Sequence, residues 1–349
     1  HREESVDFHR EEHLVERVGT VNRAEERARR RRRRRRRGPR ARVESLLVRA
    51  CFLPLLLLPP RAALWMARRL GDLTWLLLPS RRRIAIDNLT RAFGDRYDPR
   101  ERARIGRESV GRFAMTVVEG VLLPRWIASG RLVGLVRDGV GVARVRELHD
   151  RREPVIFFAG HIGAWEVGVR HLVREGWRIG VPYRSTRNEV LQDWIVRNRA
   201  IAGPEQFPRS GALRPMVRRL ARGDAVTMFI DQNERHGIFV DFFGVPAATV
   251  GTVGVLAERF GAEVHFQWVR RLEPGRRYSI EFHGPVTIPA GGDPEERVRA
   301  WTAAATARIE RAVREDPADY LWIHDRWRTR PPEEVGGGSR SGSRPEEDA

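Results

Sequence analysis

The chain has 349 residues, with 65 Lys+Arg against 46 Asp+Glu and a formal net charge of +19. At about 100–200 residues per domain, this length allows two or three domains or one large unit with appendages. The single cysteine, Cys51, excludes an internal disulfide framework and a cysteine-rich zinc module. All the basic residues are arginine, so much of the charge reads as background composition. The first residue is His1, and no signal peptide is read from it.

Residues 1–42 carry 16 arginines against 8 acids, nine of them consecutive from Arg29 to Arg37. A like-charge block of that length repels itself, so a disordered basic leader is expected. It could attract anionic lipid or nucleic acid, or be a low-complexity stretch without a role. Residues 43–80 form an apolar segment. Arg49 and Pro54 interrupt its first run and Pro59-Pro60 end it, which leaves less than the roughly 20 residues of a spanning helix. Trp65, Trp75 and the following Arg81-Arg82-Arg83 suit a helical pair lying on a membrane surface; a buried helix pair is the alternative.

From residue 81 to 330 helical and strand-like blocks alternate. Apolar spacing predicts a helix over 100–123, closed by Pro124, and Val155–Gly160 reads as a buried strand. Helices at 165–175, 188–201, 212–222, 249–260 and 294–315 alternate with strands at 178–183, 225–230, 263–270 and 278–283. This order predicts an α/β fold: a single αβα-layered domain with a mixed, mostly parallel sheet. The Gly/Ser-rich tail, 331–349, should be disordered.

Gly160-His161-Ile162-Gly163-Ala164-Trp165-Glu166 falls where a strand ends and a helix begins, the edge where α/β sheets bind ligands. Residues five apart on a helix point about 140° away from each other, so His161 meets Glu166 only if it sits on the preceding turn. Gly160 and Gly163 permit that turn. His161 would then be a general base for a hydroxyl attacking a carbonyl or thioester, with Glu166 accepting its Nδ1–H; a core or helix-capping histidine is the alternative. No serine or cysteine stands beside it, which disfavours an acyl-enzyme. Arg184 and Asp231 end two further strands, so polar groups converge on one sheet edge. Asp138-Gly139-Val140-Gly141-Val142-Ala143-Arg144 lacks the third glycine of a dinucleotide site and follows no good strand. His171, His265 and His283 show no metal-ligand spacing, and neither metal nor bound cofactor is expected.

Taken together, Arg83-Ile84-Ala85-Ile86-Asp87-Asn88-Leu89, His161 with Glu166, the Asn188–Arg199 helix, Asp231-Gln232, Phe242-Phe243-Gly244 and Trp322-Ile323-His324-Asp325-Arg326-Trp327 resemble the bacterial lipid A biosynthesis (lauroyl/myristoyl) acyltransferase family. That family lies within the glycerophospholipid acyltransferase superfamily, and the resemblance spans roughly residues 45–330. It implies a glycerol-3-phosphate acyltransferase-like domain behind a membrane-associated helical segment. It also implies transfer of a fatty acyl chain from an acyl-carrier-protein or CoA thioester to a hydroxyl of a lipid A precursor or similar anionic glycolipid, at the cytoplasmic face of the inner membrane. His161 matches the catalytic base, Glu166 its carboxylate, Arg199 a functional arginine and Asp231 a functional acid, expected to bind substrate by holding Arg184 or a sugar hydroxyl rather than to act as a second base. Arg184 is expected to face substrate phosphate. Asn188 belongs to the substrate-binding helix, backbone amides near Gly163 are candidates to hold the oxyanion, and Arg326 is either a phosphate contact or a surface ion pair. Phe242 and Phe243 are read as core rather than as an acyl channel. Alternatives are acylation of a phosphatidylinositol mannoside or a lysophospholipid, hydrolysis on the same scaffold and, from another class, nucleic-acid binding through the arginine tract.

Overall fold

The run Val155-Ile156-Phe157-Phe158-Ala159 offers no polar side chain to water, and it forms the fully buried central strand β2. The computed structural model describes residues 37–332 apart from Arg187 and Ala202. The expected basic leader lies outside the described residues as far as position 36, as does the tail from 333. Around β2 a seven-stranded sheet is ordered β1 (Val136–Asp138), β9 (Arg277–His283), β8 (Glu263–Glu273), β2, β5 (Ala225–Phe229), β3 (Ile179–Tyr183) and β4 (Glu205–Pro208). All neighbours pair in parallel except β8 with β9. The expected mixed, mostly parallel sheet is therefore present.

Alternation along the strands sends side chains to two cores. Ile156, Phe158, Val226 and Met228 join one face, and Val155, Phe157 and Ala225 the other. Each wholly buried Ile or Phe contributes roughly 1.5–3 kcal/mol. The first face is covered by helices α3 (Pro79–Phe93), α9 (Leu213–Leu220), α10 (Thr252–Phe260) and α11 (Pro294–Glu315), the second by α2 (Pro60–Leu77), α6 (Val142–Asp150) and α7 (Trp165–Arg174). The long α4 (Pro99–Ala128) contributes to both. Both α4 and α11 start with Pro at the first turn behind a capping box, Asp98 with Glu101 and Asp293 with Glu296.

Two compact units are present. The smaller comprises residues 37–51 with 185–196; the rest of the described chain forms the larger. Helix α1 (Pro39–Leu57) starts within the stretch expected to be disordered, and helix α8 is Glu189–Ala200. In the smaller unit Arg37 pairs with Glu189 at 2.8 Å and with Asp193 at 3.1 Å. In the larger one Gly71 of α2 lies so close to α4 that a Cβ there would stand 2.5 Å from the Gly111 Cα. The apolar segment 43–80 thus includes a helix whose inner face, Ala63, Leu64, Ala67 and Trp75, is core. Among the described residues no helix is long and apolar enough to cross a membrane.

Local signals failed in several places, and the short edge strands β1 and β4 were not expected. Pro124 does not close its helix, which runs on to Ala128. Proline deprives the Gly120 carbonyl of its helical donor, and Arg170 Nη1 supplies one at 3.3 Å. The stretch 237–250, not assigned to strands, forms a hairpin of β6 (Ile238–Phe242) and β7 (Val245–Thr249) outside the main sheet.

Candidate active site

Parallel pairing sets the site. Ala159 of β2 stands beside Phe229 of β5, so residues two positions beyond each strand emerge side by side. These are His161 and Asp231. One Asp231 oxygen accepts the His161 backbone N–H at 2.7 Å, and the other lies 2.8 Å from Nδ1. A carboxylate only accepts, so the neutral ring carries its proton on Nδ1 and turns a lone pair outward at Nε2. Burial opposes the charge on Asp231, but the His161 ring and its hydrogen bonds outweigh burial and hold the carboxyl below the ordinary range. The imidazole is walled by Phe229 and Trp165, at centroid distances of 4.8 and 5.1 Å. Its Nε2 meets the Gln232 side-chain nitrogen at 3.4 Å.

The turn carrying His161 is fixed from several sides. Gly163 has φ +72°, and a Cβ there would lie 2.1 Å from the Val269 carbonyl oxygen. The Ala164 amide donates to that carbonyl at 2.8 Å, and Leu321 N–H donates to the His161 carbonyl at 3.2 Å. Thr116 Oγ1 and Arg271 donate to the Gly163 carbonyl at 3.1 and 3.3 Å. Arg271 belongs to a buried network: Nε and Nη2 each reach Glu119 at 2.8 Å, Nη1 reaches Asp319 at 3.1 Å, and the Tyr278 hydroxyl donates to Glu119 at 2.8 Å. Glu119 takes the guanidinium as a fork, while burial pushes Asp319, held by one nitrogen, up to about 6.

The structure revises several sequence-based roles. Asp231, not Glu166, occupies His161 Nδ1. Glu166, in the first turn of α7, instead contacts Arg199 and lies 3.7 Å from Arg170. Burial disfavours its charge, yet those two guanidinium groups hold it below the ordinary carboxylate range. The Gly163 amide is not available to an oxyanion, because it donates to the Asp319 carbonyl at 3.3 Å. Asn188 caps α8 by accepting from Leu191 N–H and donates to the Ala41 carbonyl of α1 at 2.8 Å, a structural role in the smaller unit. Arg326 is neither a phosphate contact nor a surface ion pair. It is buried, donates to Ala248 O at 2.8 Å and Thr249 Oγ1 at 2.5 Å, and lies over the Phe242 ring. Phe242 and Phe243 are core, packed among Phe93, Tyr320, Trp322 and Trp327. Arg184 follows β3 and is exposed, with no hydrogen bond or ion pair among the described residues.

Three residues stood in the sequence blocks without a role of their own. Gln232 follows Asp231 directly, and its proximity to Nε2 follows from the register. His324 Nε2 accepts the Asn233 N–H at 3.0 Å, and burial pushes its pKa down to about 4. Asn88 donates to the carbonyls of Trp322 and His324 at 2.8 and 2.7 Å, tying the last segment to α3.

A buried carboxylate on Nδ1 and an outward Nε2 at the ends of adjacent parallel strands give this α/β fold a candidate proton acceptor at its sheet edge. Residues 30–329 match the model of the bacterial lipid A biosynthesis acyltransferase family. The chain belongs to that family and is an acyltransferase. It is similar to the lipid A biosynthesis lauroyltransferase of Escherichia coli (strain K12), 26% identical over 267 residues that cover 75% of this chain and 84% of that protein. The palmitoleoyltransferase of the same organism is 26% identical over 278 residues, covering 78% and 87%. The myristoyltransferase is 23% identical over 290 residues, covering 80% and 85%.

Proposed function

We propose that the protein transfers a fatty acyl chain from an acyl-carrier-protein or CoA thioester to a hydroxyl of a lipid A precursor or similar anionic glycolipid. His161 Nε2 takes the hydroxyl proton as the oxygen attacks the thioester carbonyl. Asp231 fixes the tautomer and stabilises the imidazolium. Collapse of the tetrahedral adduct expels the thiolate, which recovers the proton from Nε2, and no acyl-enzyme forms. The observation that carries this reading is the two-point grip of Asp231 on His161.

Arg184, exposed and unpaired among the described residues, binds acceptor or donor phosphate. Arg199, held against Glu166, is the second guanidinium this reading offers to phosphate. In this reading the protein works at the cytoplasmic face of the inner membrane, and the outer sides of α1 and α2 support contact with a membrane surface: Leu53, Leu57, Trp65, Leu73, Leu76 and Leu77 are exposed, and Arg81-Arg82-Arg83 follow α2. Mass spectrometry of the lipids made by purified protein, offered mixed acyl thioesters and a lipid A precursor, tests the proposal. Expected is one added acyl chain on the precursor, absent with His161→Ala. Release of free fatty acid alone, or equal acylation by His161→Ala, contradicts it.

A further inference from the structure

The far end of α7 gathers side chains that acyl transfer does not use. His171 and Glu175 are four residues apart, one helical turn on one face, and Asp138 ends β1 beside them. One ligand atom from each lies within 4.8 Å of the others. The His171 side chain is only 3% exposed, and neither ring nitrogen makes a hydrogen bond among the described residues, although Nε2 stands 3.2 Å from Glu175 Oε1. A buried imidazole without hydrogen bonds calls for a partner.

The carboxylates have one already. Arg146 of α6 contacts Asp138 through both Nη atoms and donates to Glu175 at 2.8 Å. The place therefore favours a cation, and the arginine leaves His171 without a hydrogen bond. The C-terminal end of α7 adds the negative end of its dipole.

We infer that Asp138, His171 and Glu175 form a site for a divalent transition-metal ion of the zinc type, which displaces Arg146. One imidazole and two carboxylates suit zinc rather than magnesium or calcium, and three protein ligands leave a fourth position for water. Arg146 is two-fifths exposed and has water to turn into. His161 lies on the turn before α7 and His171 six residues, about 9 Å of rise, beyond the helix's first residue, so the ion ties β1 to the far part of α7 and leaves the His161 turn alone. Scanning histidines against one another missed this site, because two of its three ligands are acids.

Calorimetric titration of Zn2+ into the metal-free full-length protein tests it, with Co2+ absorption as a second readout. Expected is one site per chain. Arg146→Gln should bind about ten-fold tighter because the competing cation is gone, and Glu175→Gln at least about ten-fold weaker. His171→Asn should abolish the site and its Co2+ absorption band. Because His171 is buried, the two rim variants keep the test decisive if that protein fails to fold. Zinc isotherms that are the same for wild type, Arg146→Gln and Glu175→Gln, or no zinc uptake by the wild type at micromolar concentrations, overturn the assignment.

Discussion

The His161 turn and the Arg271 network adjoin each other across the Gly163 peptide, and both are built on buried carboxylates. In the network each partner is engaged: Glu119 receives Arg271 and Tyr278, and Asp319 receives Arg271. Asp231 likewise uses both oxygens on one residue, but the imidazole it grips keeps a nitrogen that faces, among the described residues, the Gln232 amide. A buried carboxylate gives a clamp where its partners are donors with no lone pair to spare, and supports the proposed base where its partner is an imidazole that keeps one. Position also differs, since Arg271 and Glu119 are almost wholly buried while a fifth of the His161 side chain is exposed.

Variants should separate the two. His161→Ala should lower acyl transfer on the order of a thousand-fold, measured with purified protein and a thioester donor, and leave the melting temperature within a few degrees. Arg271→Met should do the reverse: Glu119 becomes a buried unpaired charge, so urea denaturation should show a loss of about 3–5 kcal/mol, while the rate per folded molecule changes far less than in His161→Ala. If Arg271→Met abolished turnover in folded protein, the distinction between clamp and base would be broken.

Acid should draw a finer line. His324 is neutral in the fold because burial pushes its pKa down to about 4, against 6.5 in an unfolded chain. Its contribution to stability is full above about pH 6.5 and declines as pH falls through 4, by about 3 kcal/mol in total, a loss that His324→Gln should remove. Asp319 carries the opposite sign. With its pKa raised to about 6 from 3.8, its stabilising share is present at low pH and lost as pH rises through 6, by about 1 kcal/mol between pH 5 and 7. Asp319→Asn should flatten that part of the stability profile in urea titrations.

The central strands were legible because β2 and β5 are short, apolar and bounded by turns, and α4 because its apolar residues recur at helical spacing. His161 was legible as a strand-end residue. Its partner was misread because Glu166 lies nearby in sequence while Asp231 is 70 residues away, yet both strand ends were in view. What was missing was that β2 and β5 are neighbours in register, a tertiary fact. Arg326 and Asn188 show the complementary limit: residue type does not reveal burial, and both turned inward to satisfy backbone carbonyls. Pro124 was overruled by Arg170, 46 positions on.

The most direct test of the central claim compares Asp231→Asn with Glu166→Gln in the same acyl-transfer assay, with folding checked by circular dichroism. Expected is a loss on the order of a hundred-fold or more for Asp231→Asn, because the imidazole loses its tautomer and its counter-charge. Glu166→Gln, which alters only the contact with Arg199 and Arg170, should lose about ten-fold or less. The opposite order, with Asp231→Asn near normal and Glu166→Gln inactive, would contradict the pairing of His161 with Asp231 as the catalytic base.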